Sequence, residues 1–189
     1  MNNISWQRLQ LLPIALISIM ALTRFDHFGS TFSLPDASLA VFFLAGMGTG
    51  GIWLFVLLLL EAGLIDYLAI SQFSVNDYCV TPAYLCLIPT YAIMWLAGRY
   101  CNTFKELHFV DSLKMFGLTS VATSIAFVIS NVSFYLFSGK FGQLNFIDYV
   151  SRTSQYYLLY LSSALIYVAI GLVVFKAWKT MQSTVVVQP

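Results

Sequence analysis

The sequence predicts an all-α integral membrane protein of six transmembrane helices, a single domain over residues 1–189 with both termini in the cytoplasm. Three observations carry this reading: the composition, the length of the apolar runs, and the placement of the basic residues. The 189 residues are 59% hydrophobic and 9% charged, with a mean hydropathy of +0.81. A soluble domain carries about a quarter charged residues, and nine basic and eight acidic side chains are too few to cover a water-facing exterior of this size. In lipid the backbone must satisfy its own polar groups, so helices are the default spanning element. A net charge of +1 supplies no phosphate-neutralising surface, which excludes nucleic acid as a partner. The three cysteines (Cys79, Cys86, Cys101) are odd in number and show no CxxC spacing, so neither a fully paired disulfide framework nor a zinc site is expected.

The first span runs from about Leu9 to Thr23, between Arg8 and the polar stretch Arg24-Phe25-Asp26-His27. A cleavable signal peptide is the competing reading, but no small-x-small site follows Met20-Ala21-Leu22-Thr23. From Ala37 to Ile70 the chain is mostly apolar for 34 residues, too long for one untilted span. Gly46, Gly48, Gly50 and Gly51 favour a turn in its middle. The stretch therefore divides into a short helix over about 37–47 and a longer one over about 52–70. The fourth helix covers about 82–100, with Thr81 as N-cap and Pro82 first, where the missing N–H costs nothing. The fifth covers about 112–137 and the sixth about 154–178, joined by short polar links.

Six spans put Arg8, Arg99, Lys105, Lys114, Lys176 and Lys179 on one side and Arg24, Lys140 and Arg152 on the other. This bias places both termini in the cytoplasm. Five spans with the N-terminus outside give the same division, so the glycine break is what selects six.

The outward ends then gather Asp26, His27, Asp36, Asp66, Asn76, Asp77, Tyr78, Cys79, Tyr84, Asp148 and Arg152. Charged side chains at such depth need a partner or water. Asp66 reads either as a helix-end carboxylate reaching water or as a cavity residue facing a polar ligand or Arg152. Glu61 lies deeper, with a partner that sequence does not identify. Cys79 lies just before Thr81, near the positive end of the fourth helix, which favours a thiolate, while Asp77 opposes it. A thiolate there suits a late transition metal or a nucleophilic role. Cys86 and Cys101 read as small apolar helix residues. His27 and Cys79 alone do not make a zinc site. The fifth helix carries Thr119, Ser120, Thr123, Ser124, Ser130 and Asn131, a stripe expected to serve helix packing. Tyr156, Tyr157 and Tyr160 read as an interfacial belt or the wall of a pocket.

The run Leu34-Pro-Asp-Ala-Ser-Leu-Ala-Val-Phe-Phe-Leu-Ala-Gly46, then Glu61-Ala-Gly-Leu-Ile-Asp66, then Asp77-Tyr-Cys-Val-Thr-Pro-Ala-Tyr84, resembles the BtuM family. These are small six-helix proteins similar to the substrate-binding S-components of energy-coupling factor transporters and are assigned to cobalamin uptake. The resemblance extends over the whole chain in length and helix layout. It implies an S-component-like bundle in a bacterial inner membrane that takes up cobalamin (vitamin B12) and cobinamide from the periplasmic side. It further implies Cys79 as axial ligand of the corrinoid cobalt, with possible cysteine-mediated decyanation, and His27, Asp66, Tyr84 and Arg152 around the corrinoid. Cobalamin is then cargo, and no other cofactor is implied. The first helix has Ala15, Ser18 and Ala21, but Ile19 and Leu22 stand four residues after Ala15 and Ser18. The close-approach surface for an energy-coupling module is thus missing, and the chain looks like the solitary form, for which that module is not required. The rival readings are a membrane thiol-dependent enzyme using Cys79 as nucleophile with His27 as base, and a structural subunit without a ligand.

Overall fold

The computed structural model describes residues 4–26, 34–48, 51–73, 81–103 and 109–185, and every regular element among them is helical. In chain order these are α1 (Ile4–Asp26), α2 (Ser38–Met47), α3 (Gly51–Phe73), a 3₁₀ turn (Pro82–Cys86) leading into α4 (Leu87–Cys101), α5 (Phe109–Phe137), α6 (Phe146–Ser154) and α7 (Tyr157–Val185). Three stretches are long and apolar enough to cross a membrane: Gly51–Gln72, Val110–Phe137 and Tyr157–Ala177. The protein is therefore an integral membrane protein. Shorter apolar helical stretches, Leu12–Arg24 and Ser38–Met47, accompany them.

The glycine cluster is where α2 ends and α3 begins. Gly51 opens α3 at φ +60°, a left-handed conformation that a side chain would oppose. α2 and α3 run in opposite directions, because Ser38 at the start of α2 and Asp66 towards the end of α3 both bond to Arg24. A continuous helix from 38 to 66 would hold those two residues about 40 Å apart.

α2 is the centre of the fold. Leu39, Ala40, Val41, Phe42, Phe43 and Ala45 are all buried, packed against α4 on one side and α1, α3 and α7 on others. The α2–α4 crossing is a backbone contact. A Cβ at Gly46 would fall on the carbonyl oxygen of Trp95, and one at Gly98 would fall on the carbonyl oxygen of Phe43. Two glycines facing each other's carbonyls bring the helices together as small residues do in membranes generally, where apolar burial does not drive association. Phe42 stacks on Tyr91 at 4.3 Å between ring centroids, and Phe55 lies between Phe42 and Trp95.

Two readings of the local structure are corrected. The fourth helix is not uniform: Pro82–Cys86 is 3₁₀ before α4 starts at Leu87. Thr81 is its N-cap residue, in extended conformation with Pro82 first as read from the sequence; its carbonyl accepts the Tyr84 amide at 2.8 Å, but its side chain makes no capping bond. The link between the fifth and last long helices is likewise not a plain polar loop, since it contains α6. The side chain of Asn145 caps α6 by accepting from Ile147 N at 3.2 Å, and Tyr149 anchors it on α5, donating to the Asn131 carbonyl at 3.0 Å.

The stripe on α5 acts in packing. Thr119, Ser120 and Ser124 donate to carbonyls four residues back. Thr123 also reaches Met94 Sδ on α4 at 3.7 Å, and Ser124 pairs with Tyr157 of α7 at 2.7 Å.

Candidate functional site

The most organised polar feature is built around Arg24, in the last turn of α1. Its Nε donates to Asp66 Oδ1 at 2.7 Å and its Nη2 to Asp66 Oδ2 at 2.6 Å, a two-pronged pair between α1 and α3. The Nη1 group donates to Ser38 Oγ at 3.0 Å and to Tyr91 Oη at 2.8 Å, adding α2 and α4. Asp36 Oδ2 lies 3.5 Å from Nη1, and Asp36 Oδ1 accepts from both the backbone and the hydroxyl of Ser38. Tyr84, in the 3₁₀ turn, donates to Asp66 Oδ2 at 2.7 Å. Arg24 and Asp66 are each only 7% exposed. Every nitrogen of the guanidinium has a partner, as a buried cation requires.

Local sequence explains how these groups converge. Pro35 and Asp36 precede α2, and Asp36 forms a turn onto Ser38 that presents the Ser38 hydroxyl to Arg24. Thr23 Oγ1 accepts from Ala37 N at 3.2 Å, tying the start of α2 to the end of α1. Tyr167 of α7 donates to the Pro35 carbonyl at 2.9 Å and holds the same turn from the far side. The 3₁₀ geometry after Pro82 sets Tyr84 against α3, while Tyr91 enters from α4 on the Phe42 stack.

Of the residues singled out from sequence, Asp66 and Tyr84 are brought into direct contact. The partner of Asp66 is Arg24, which corrects the expectation that Asp66 reaches open water or faces Arg152. Arg152 lies on α6, exposed, where it lines a separate hollow with Lys140, Phe141, Gln143 and Leu144. His27 and Cys79 lie outside the described residues, as do Asn76, Asp77 and Tyr78. By chain connection, His27 follows α1 directly and Cys79 lies two residues before Thr81, so both segments attach at the end of the bundle that holds the Arg24 cluster. Cys86 is half-buried and Cys101 fully buried, both as free thiols. Among the described residues, no group of three or more His, Cys, Asp or Glu side chains is placed to hold a metal ion.

Sequence reasoning missed Arg24, Ser38 and Tyr91. Arg24 counted only as a charge at a span end. The available signal was its position at the same end as Asp36, Asp66 and Tyr84, where one cation among acceptors invites a shared bond. Nothing in the pattern of α4 marked Tyr91.

Chemically, the cluster is a clamp that joins α1, α2, α3 and the 3₁₀–α4 segment at one end of the bundle. An ionised carboxylate offers about four acceptor positions. Two donors meet Asp66 at Oδ2 and one at Oδ1, so capacity remains at Oδ1 for a further donor. Deeper in α3, Glu61 Oε2 is buried and has no hydrogen-bond partner among the described residues. No protein-family model and no curated protein matches the chain.

Proposed function

We propose that this chain is a six-span carrier of a bacterial inner membrane that takes up cobalamin and related corrinoids from the periplasmic side. In this reading the Cys79 thiolate is the axial ligand of the cargo's cobalt. Asp66, Tyr84, Arg152 and His27 meet the amide side arms, and the α7 aromatics pack on the ring. α1, α2, α3, the 3₁₀–α4 segment, α5 and α7 are the six passes. α2 reverses the chain inside the bundle, and both termini lie in the cytoplasm. Transport does not require an energy-coupling module.

The observation that carries the reading is the Tyr84–Asp66 bond at 2.7 Å. Two residues assigned to one site by the family resemblance are adjacent, partly buried and anchored by Arg24, at the end of the bundle to which the His27 and Cys79 segments connect. α1 and α3 run parallel and α2 runs back against both, and this reading counts α2 as a separate, short pass.

A thiolate donor to cobalt displaces the nucleotide base of the corrinoid and weakens the bond to an upper cyanide, favouring its departure as cyanide ion with the bonding pair while cobalt stays Co(III). Protein purified with cobalamin is expected to be coloured and to show an altered visible spectrum that Cys79→Ala and Cys79→Ser both lose. An unchanged spectrum in either variant rules out sulfur ligation. A colourless protein that still modifies thiol reagents at Cys79 points instead to the enzyme.

A further inference from the structure

We propose that the hollow beside α6 binds the phosphate of an anionic phospholipid headgroup, with α6 lying in the membrane interface next to it. The hollow measures about 370 Å³ and is lined by Lys140, Phe141, Gln143, Leu144 and Arg152. Among the described residues that line it, two are cations, Gln143 adds an amide, and none is acidic. Arginine and lysine with an amide donor are the groups that recognise a phosphodiester.

Aromatic contacts and hydrogen bonds hold the segment that forms the hollow. Phe141 packs edge-on against Tyr149 at 4.8 Å and Phe134 at 5.6 Å, and Tyr135 contacts Phe146 and Tyr149. Tyr135 donates to the Leu144 carbonyl at 2.8 Å and Tyr149 to that of Asn131. The connection carrying Lys140 and Leu144 is thereby pinned to α5 and α6.

Its position selects the occupant. α6 joins the end of α5 to the start of α7, both long and apolar enough to span, so it lies where hydrocarbon gives way to headgroups. Beside the hollow, α6 leaves Phe146, Ile147 and Val150 exposed, Ile147 at 72%. An interfacial helix with an apolar face and neighbouring cations is the pattern that draws anionic lipid. Acyl chains cover the apolar residues while the phosphate enters between Lys140 and Arg152; a free soluble anion would leave the apolar residues uncovered. The inference does not rest on the corrinoid reading, and Arg152 is the one residue that the two share.

The test uses the full chain in an uncharged detergent, followed by thermal unfolding with added phosphatidylglycerol, phosphatidylcholine or inorganic phosphate. Phosphatidylglycerol at saturating level is expected to raise the midpoint by about 5 °C, with phosphatidylcholine and phosphate having little effect. Lys140→Gln should lose most of that rise, whereas Lys114→Gln, on α5 far in sequence from the hollow, should keep it. Counting phosphatidylglycerol adducts by native mass spectrometry on the wild type and Lys140→Gln gives a readout independent of stability. An equal rise with phosphatidylcholine, an equal rise with inorganic phosphate, or an undiminished rise in Lys140→Gln overturns the proposal. So does a cobalamin affinity lowered by Lys140→Gln together with cobalamin abolishing the phosphatidylglycerol effect, since the hollow would then belong to the corrinoid. Failure here with the Cys79-dependent spectrum intact leaves the transport reading standing.

Discussion

α2 and α7 are both strongly apolar in sequence, yet they live in different surroundings. α2 is walled by protein along nearly its whole length, whereas α7 turns Leu158, Leu159, Ile166, Ile170 and Val173 outward. In water such exposure would be a defect; in a bilayer it is the ordinary exterior. The inside of this bundle is distinguished by other means: glycines that let backbones touch, and polar groups that find one another. Gly46 and Gly98 supply the first, and the Arg24 cluster supplies the second. The contrast teaches that position in a membrane fold is set by small and polar residues, because hydrophobicity is shared by both faces.

Removing one member of the ion pair is the most severe way to break that contrast. Arg24→Leu leaves the Asp66 carboxylate buried without its cation and is expected to destabilise by about 3–5 kcal/mol. Loss of folded protein on gel filtration after graded heating checks this. Arg24→Leu combined with Asp66→Leu should recover much of the loss, which separates a stranded charge from lost packing. Next in size, Gly98→Ala places a methyl on the Phe43 carbonyl and should cost about 1–3 kcal/mol as the α2–α4 crossing opens, read by the same assay. At the other extreme, Ile166→Ala or Val173→Ala on the lipid side of α7 should change stability by less than about 0.5 kcal/mol. A large effect there would mean that α7 is covered by protein, and the comparison with α2 would lose its basis.

Much of the helical layout was legible because it depends on local chemistry: long apolar runs, and glycines at 46–51 where the chain reverses. α6 was not, since nine residues with a polar half carry no spanning signal and read as a link. The 3₁₀ turn at Pro82–Cys86 escaped for a similar reason, as the chain is apolar enough there to continue a helix. Asp66 and Tyr84 were visible as polar residues near helix ends, but Arg24, Ser38 and Tyr91, which join them in the cluster, come from three different helices. Which helices are neighbours is decided by the crossing at Gly46 and Gly98, and no periodicity in lipid-facing sequence encodes it. Arg152 shows the converse: its charge was visible, but its place on α6 rather than beside Asp66 depends on an aromatic cluster formed with α5.

Sixty-seven positions separate Arg24 from Tyr91 along the chain. A ribosome needs roughly 3–13 s to make such a length. Throughout that interval the guanidinium of the first helix lacks the Tyr91 hydroxyl, and for the first 42 positions it lacks the Asp66 carboxylate as well. The clamp therefore closes late in biosynthesis, and until it does, α1 must keep its charged end at the watery edge of the membrane or within the insertion machinery.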